Sequence, residues 1–265
     1  MFHQAKNCTL QLGTTTMDYV TFGIGTKPLI IIPGLNVRGV KGAATGLAYM
    51  YKLFAKEYNV YVFDRKEEIP EGYTVRDIAA DVAEAMRLLG LTDADVFGVS
   101  QGGMIAQYLA IDHPELVHKL VLGVTLSKNN DTVKQVIADW IRMTEQNDYD
   151  GFISDMLIKM YSDDYVRKYK CVIPMVAKKS RPKNFERFII LAKACLTCNT
   201  YDELDKIKCP VFVLGGKQDK IVTGEASVEL AEKLRCEYYM YENLGHAAYE
   251  EAKDFNKRIY EFLQK

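Results

Sequence analysis

The run Gly98-Val99-Ser100-Gln101-Gly102 constrains this chain more than any other. It sits between a stretch of strand character, Asp93-Ala94-Asp95-Val96-Phe97, and one of helical character, Met104-Ile105-Ala106-Gln107-Tyr108-Leu109-Ala110. A strand, a tight turn and a helix with a serine at the apex follow from that order. A turn this sharp strains the apical residue, and a Cβ two positions away on either side meets the neighbouring strand or helix, which is why glycine is needed there. The serine hydroxyl is therefore expected to stand clear of the sheet.

The rest of the chain supplies a matching frame. Cys8–Leu12 and Tyr19–Phe22, separated by Gly13-Thr14-Thr15-Thr16, predict a β-hairpin. Pro28–Pro33 and Asn59–Asp64 are short apolar runs of the kind buried on both faces of a parallel sheet, with a helix expected between them from about Ala43 to Lys56. Val75, Ile78, Val82 and Met86 recur at helical spacing, with Thr74 as N-cap. Strand character returns at Lys119–Val124, Pro210–Gly215 and Glu237–Tyr241, with helices expected at Gly224–Leu234 and Ala248–Leu263. Alternating strands and helices imply an α/β fold: a mostly parallel central sheet with helices on both faces. Between Leu126 and about Asn199 the alternation stops, and the segment is helical and rich in aromatics and methionine, the pattern of an insertion.

With 265 residues and 48% hydrophobic content, the chain is long enough for a large core. Lys and Arg number 34 against 35 Asp and Glu, so net charge offers no reason to expect nucleic acid or an anionic membrane as partner, and a small molecule is the default ligand. The start, Met1-Phe2-His3-Gln4-Ala5-Lys6-Asn7, has no apolar signal core, and no run approaches the roughly 20 apolar residues of a membrane span. A cytoplasmic protein with reduced thiols is expected; oligomeric state is not readable. Cys195 and Cys198 make one C-x-x-C without a second half, within a helical run, and read as ordinary buried cysteines.

A serine hydroxyl needs a base, and the base needs a carboxylate to orient it. Reactive groups in such sheets collect at the carboxyl ends of the strands. The loop after Pro210–Leu214 carries Asp219, and the loop after Glu237–Tyr241 carries His246; the order Ser100, Asp219, His246 matches a known triad order. Glu242 is the alternative carboxylate. His3 lies in a terminus, while His113 and His118 fall near Pro114, beyond the far end of the serine's helix. An oxyanion hole needs two backbone N–H groups, and Gln101 and Leu35 are the candidates, the latter in Pro33-Gly34-Leu35-Asn36 where proline has no N–H to give. The Asn36 amide is a further candidate contact.

These residues resemble the α/β-hydrolase superfamily over essentially the full length of the chain. The carriers are Gly98-Val99-Ser100-Gln101-Gly102-Gly103-Met104, the loop at Asp219, Gly245-His246, and His113-Pro114-Glu115 ahead of Lys119-Leu120-Val121-Leu122. The chain is most similar to the small capped group that includes enol-lactonases, carbon–carbon bond hydrolases and methyl-ester esterases. The resemblance implies a helical cap, residues 126–199, over a core of residues 1–125 and 200–265. Many members carry His-Gly where this chain has Pro33-Gly34. The longer glycine and proline motif of proline iminopeptidases is missing, which disfavours peptide cleavage. A serine at the apex disfavours relatives with an aspartate nucleophile.

The expected activity is cleavage of a small carboxylic ester, lactone or thioester through an acyl-enzyme on Ser100, with no metal or organic cofactor. A ligand receptor with weak hydrolysis, a carbon–carbon bond hydrolase and an acyltransferase stay open on the same residues. In the insertion, Trp140, Met156, Met160 and Phe188 are candidate substrate contacts, among aromatics and methionines (Met143, Phe152, Tyr161, Met175, Phe185) of which most are expected to pack helices together. Lys178-Lys179-Ser180-Arg181-Pro182-Lys183 reads as a solvated face.

Overall fold

The computed structural model describes residues 4–169, 172, 182 and 185–265. Its strands are β1 (Lys6–Leu12), β2 (Thr15–Phe22), β3 (Lys27–Ile32), β4 (Tyr58–Lys66), β5 (Ala94–Val99), β6 (Val117–Gly123), β7 (Val211–Gly216) and β8 (Glu237–Tyr241). They form one sheet ordered β1-β2-β4-β3-β5-β6-β7-β8. β1 pairs with β2, and β2 with β4, antiparallel; from β4 onward every neighbour is parallel.

Period-two alternation along the buried strands divides the interior into two layers. Ile30, Ile32, Val96, Leu120, Leu122 and Val213 point to one face. Covering them are α2 (Val75–Leu88), α3 (Gln101–Asp112) and α8 (Gly224–Leu234), the last through Leu230 and Ala231. Leu29, Ile31, Phe97, Val99, Val121 and Leu214 point to the other face, against α1 (Ala44–Met50) and α10 (Phe255–Leu263). Full burial of each such side chain contributes about 1.5–3 kcal/mol. The central strands are apolar on both faces because both faces are covered. Thr74 caps α2 in a capping box with Asp77.

Two expected helices are shorter than their periodicity suggests. The first stops at Met50, and residues 51–57 continue as turns: Phe54 N donates to Tyr51 O and Glu57 N to Phe54 O, at 3.1 and 3.2 Å. This tighter winding buries Tyr51, Phe54 and Ala55 in one layer and delivers Tyr58 to β4. The closing helix is broken at Ala252, which is extended (φ −80°, ψ 115°), into α9 (Ala248–Glu251) and α10. No glycine or proline marks that break; it brings Phe255 into the layer against Phe97 and Tyr241.

Between β6 and β7 the described residues form α4 (Asp131–Glu145), α5 (Tyr149–Met160), α6 (Asp163–Tyr169) and α7 (Glu186–Cys195). The chain leaves and returns side by side: Lys128 bridges Asn199, and Thr200 N donates to Ser127 O at 2.7 Å. Among the described residues no helix is long and apolar enough to cross a membrane.

Candidate active site

Ser100 stands between β5 and α3 at φ 53°, ψ −119°, a conformation L residues rarely adopt. The glycines around it leave no room for side chains. A Cβ on Gly98 would lie 2.3 Å from Gly102 O, and one on Gly102 1.9 Å from Ile32 O. A Cβ on Gly103 would meet Thr125, whose hydroxyl donates to Ser100 O at 2.8 Å.

His246 Nε2 lies 2.9 Å from Ser100 Oγ, and Nδ1 lies 2.8 Å from Asp219 Oδ2. An ionised carboxylate only accepts, so the neutral imidazole carries its proton on Nδ1 and turns a lone pair toward the serine. Histidine and aspartate are 4% and 7% exposed, so water competes weakly for these contacts. Asp219 is held from its other oxygen, where Oδ1 accepts from Ile221 N (2.8 Å) and Val222 N (3.0 Å). Behind the histidine, Ala247 N donates to Met160 O at 2.7 Å, tying the loop to the end of α5.

Three expected components thus meet at one rim although they come from different strand ends. Glu242, the alternative carboxylate, is exposed and pairs with Lys217. His118 bonds Asp95, and His113 lies 3.1 Å from an Arg87 nitrogen. His3 and Cys171 lie outside the described residues.

The turn after β3 passes over the serine: a Cβ on Gly34 would lie 3.3 Å from Ser100 Cβ. Leu35 follows in that turn and lines the cavity beside Ser100. Gln101 is the first residue of α3, where a backbone N–H has no acceptor within the helix. The Asn36 side chain lines the same cavity, but its atoms serve the turn: Nδ2 donates to Gly34 O at 3.3 Å and Oδ1 accepts from Gly39 N at 2.5 Å.

Above the serine lies a cavity of about 360 Å³. Its lining includes the four contacts expected from the insertion, Trp140, Met156, Met160 and Phe188, together with Val133, Ile137, Ile153 and Leu157 of α4 and α5. Trp140 has its indole N–H on Asp155 at 2.8 Å, and Phe188 stacks edge-on to Phe152 at 5.0 Å. Phe152 and Phe185 pack helices, and Met143 packs against that cluster. Met175 and the basic residues Lys178, Lys179, Arg181 and Lys183 lie outside the described residues. Arg38, Tyr161 and Glu250 bring polarity to the lining, and Tyr161 donates to Glu250. Cys195 also lines the cavity, yet burial pushes its thiol up to about 12, and burial likewise raises Cys198. These are inert thiols.

Sequence reasoning missed Arg65 and the side chain of Gln101, both buried and bonded to each other beside the serine's turn. The signal was a charged pair, Asp64-Arg65, closing the apolar run of β4.

Comparison with known proteins agrees with this architecture. A family model described as alpha/beta hydrolase fold matches residues 27–163, just over half of the chain. The "Putative carbamate hydrolase RutD" of Caulobacter segnis is 25% identical over 267 residues, spanning 95% of this chain and 98% of that protein. The 3-oxoadipate enol-lactonase 2 of Acinetobacter baylyi is 21% identical over 228 residues, spanning 84% and 82%. Among solved structures, MGS-M2, an alpha/beta hydrolase enzyme from a Medee basin deep-sea metagenome library, superposes with a TM-score of 0.86 at 20% identity, covering 97% of this chain and 98% of that one. Sheet order, the serine at the strand-to-helix turn and the family match converge on one conclusion: the chain belongs to the α/β-hydrolase fold family.

Proposed function

We propose that the protein hydrolyses a small carboxylic ester, lactone or thioester through an acyl-enzyme on Ser100. The observation that carries this reading is the continuous line from Asp219 Oδ2 through both nitrogens of His246 to Ser100 Oγ, with contacts of 2.8 and 2.9 Å. His246 Nε2 takes the hydroxyl proton as Oγ bonds to the substrate carbonyl carbon, and the carbonyl π electrons move onto oxygen. Backbone N–H groups of Leu35 and Gln101 receive that oxyanion. Collapse re-forms the carbonyl and breaks the bond to the leaving group, which takes the proton from His246. Water then repeats the sequence on the acyl-enzyme and frees the acid. Asp219 holds the tautomer and stabilises the imidazolium.

Residues 126–199 act as the cap over a core formed by 1–125 and 200–265. The side-by-side exit and return at Lys128 and Asn199 support that division. Trp140, Met156, Met160 and Phe188 offer an apolar surface for the acyl group, and Asn36 borders it. The names of the relatives, a lactonase and a carbamate hydrolase, fit acyl transfer to water.

The test is labelling with a fluorophosphonate followed by turnover of short-chain aryl esters. Modification of Ser100 and many turnovers per second are expected, with Ser100→Ala silent in both. Labelling elsewhere refutes the assignment. Labelling of Ser100 without turnover favours the receptor reading.

A further inference from the structure

Beneath the serine's turn lies a buried cation that the reaction described above does not use. Arg65, at the end of β4, is 2% exposed. A single nitrogen, Nη2, donates both to Pro33 O (2.7 Å) and to Gln101 Oε1 (2.8 Å). Pro33 is the root of the turn that carries Leu35. Gln101 is the residue whose backbone N–H is the other proposed oxyanion donor. We infer that Arg65 is a positioning residue, holding the two halves of the oxyanion hole at a set separation; this rests on the hydrolase reading above.

The chemistry of the guanidinium suits the task. Its two Nη2 hydrogens diverge in a fixed plane, so two acceptors bonded to them are held in a fixed relation to each other. The Gln101 amide has one possible orientation here: Oε1 faces a donor-only guanidinium, while Nε2 donates to Leu191 O (2.6 Å) and faces Cys195 Sγ (3.1 Å). The arginine is fixed in turn from its own strand. Asp64 Oδ1 accepts from Arg65 N (2.7 Å) and from Arg187 Nη2 (3.1 Å), and Arg187 also donates to Arg65 O (2.9 Å). Helix α7 therefore bears on the oxyanion hole from two sides.

Arg65 is an expensive way to fill space. Its Nε and Nη1 are buried with no hydrogen-bond partner among the described residues. An apolar side chain of similar volume would remove that desolvation cost but leave Pro33 O and Gln101 Oε1 without their donor, so a purely structural role appears in Tm, and only kcat and affinity for an oxyanion mimic separate positioning from packing. Burial pulls the guanidinium down to about 10, partly offset by Asp64, which leaves it charged at neutral pH.

The test compares wild type with Arg65→Met, Arg65→Lys and Gln101→Met. Readouts are kcat and KM on an aryl butyrate, affinity for a trifluoromethyl ketone of matched acyl length, and Tm. The ketone forms a tetrahedral oxyanion on the serine and so reports the hole, whereas KM reports ground-state binding. Arg65→Met is expected to lower kcat about 10- to 100-fold with KM within about threefold, and to weaken the ketone by the same factor as kcat. Arg65→Lys, which keeps the charge and a donor, recovers part of both. Unchanged ketone affinity in Arg65→Met, or kcat and KM moving together, overturns the inference. Should Arg65→Met not fold, Gln101→Met decides: it removes one acceptor and must show the same split, and an unchanged ketone affinity sinks the proposal. A wild type that neither turns over the ester nor labels at Ser100 removes the hydrolase reading and this inference with it; a wild type that does both, beside variants with unchanged kcat and ketone affinity, removes the inference alone.

Discussion

If Ser100 is held in a strained conformation, replacing it by glycine relieves that strain and replacing it by alanine does not. Both substitutions remove the same hydroxyl and the same contact to His246, so their difference isolates the Cβ at φ 53°, ψ −119°. A non-glycine residue in such a region costs about 1–3 kcal/mol. Glycine gives back roughly 0.4–1 kcal/mol through the freedom it adds to the unfolded chain. Ser100→Gly is therefore expected to be more stable than Ser100→Ala by roughly 0.5–2 kcal/mol. Unfolding entropy near about 2.1 cal/mol/K per residue, over 265 residues, converts this to about 1–4 °C in Tm. Differential scanning calorimetry of the two variants, at one protein concentration and buffer, reads it directly. A Ser100→Gly protein melting at or below Ser100→Ala would show that the backbone at residue 100 stores no strain, and the reasoning from its φ and ψ would fail.

Asp219→Asn keeps an acceptor for Ile221 N and Val222 N but presents an NH₂ to His246 Nδ1. The imidazole then carries its proton on Nε2 and cannot take the serine's, so kcat should fall about 10³- to 10⁴-fold with KM little changed; a loss under tenfold in steady-state assays speaks against the proposed role. Across linear acyl esters, kcat/KM should rise roughly fourfold per methylene until the cavity is full, and Phe188→Ala should move the optimum to longer chains while lowering stability by about 3–5 kcal/mol. An unmoved optimum places the acyl group elsewhere. Burial raises the thiols of Cys195 and Cys198 well above the ordinary range, so little of either is the reactive thiolate at pH 8. Iodoacetamide at that pH should leave both unmodified in the folded protein and alkylate both in urea, as peptide mass spectrometry would show.

Much of this arrangement is legible from local pattern. The strand-to-helix order around Ser100 is local, and so is the need for glycine at 98, whose Cβ would meet Gly102 O; the glycine at 102 is visible as part of the same pattern, although what it avoids is Ile32 O on β3. The loops that hold Asp219 and His246 can be found because parallel sheets gather their carboxyl ends at one rim. Helix ends at Met50 and Ala252 are not legible in the same way, since burial of Tyr51, Phe54 and Phe255 ends them where periodicity would continue. The Asn36 amide looks available in sequence; only the fold shows it serving Gly34 and Gly39.

What the amino-acid order determined by itself was the set of reactive residue types, the glycine pattern around Ser100, and the alternation that makes the sheet parallel. Tertiary structure alone decided that Arg65 reaches Pro33 and Gln101, and which insertion side chains line the cavity rather than pack behind it. The physical reason is range. Steric and propensity effects act over a few neighbouring residues and are written locally. A buried guanidinium finds its acceptors 32 and 36 positions away only after the strands have been assembled.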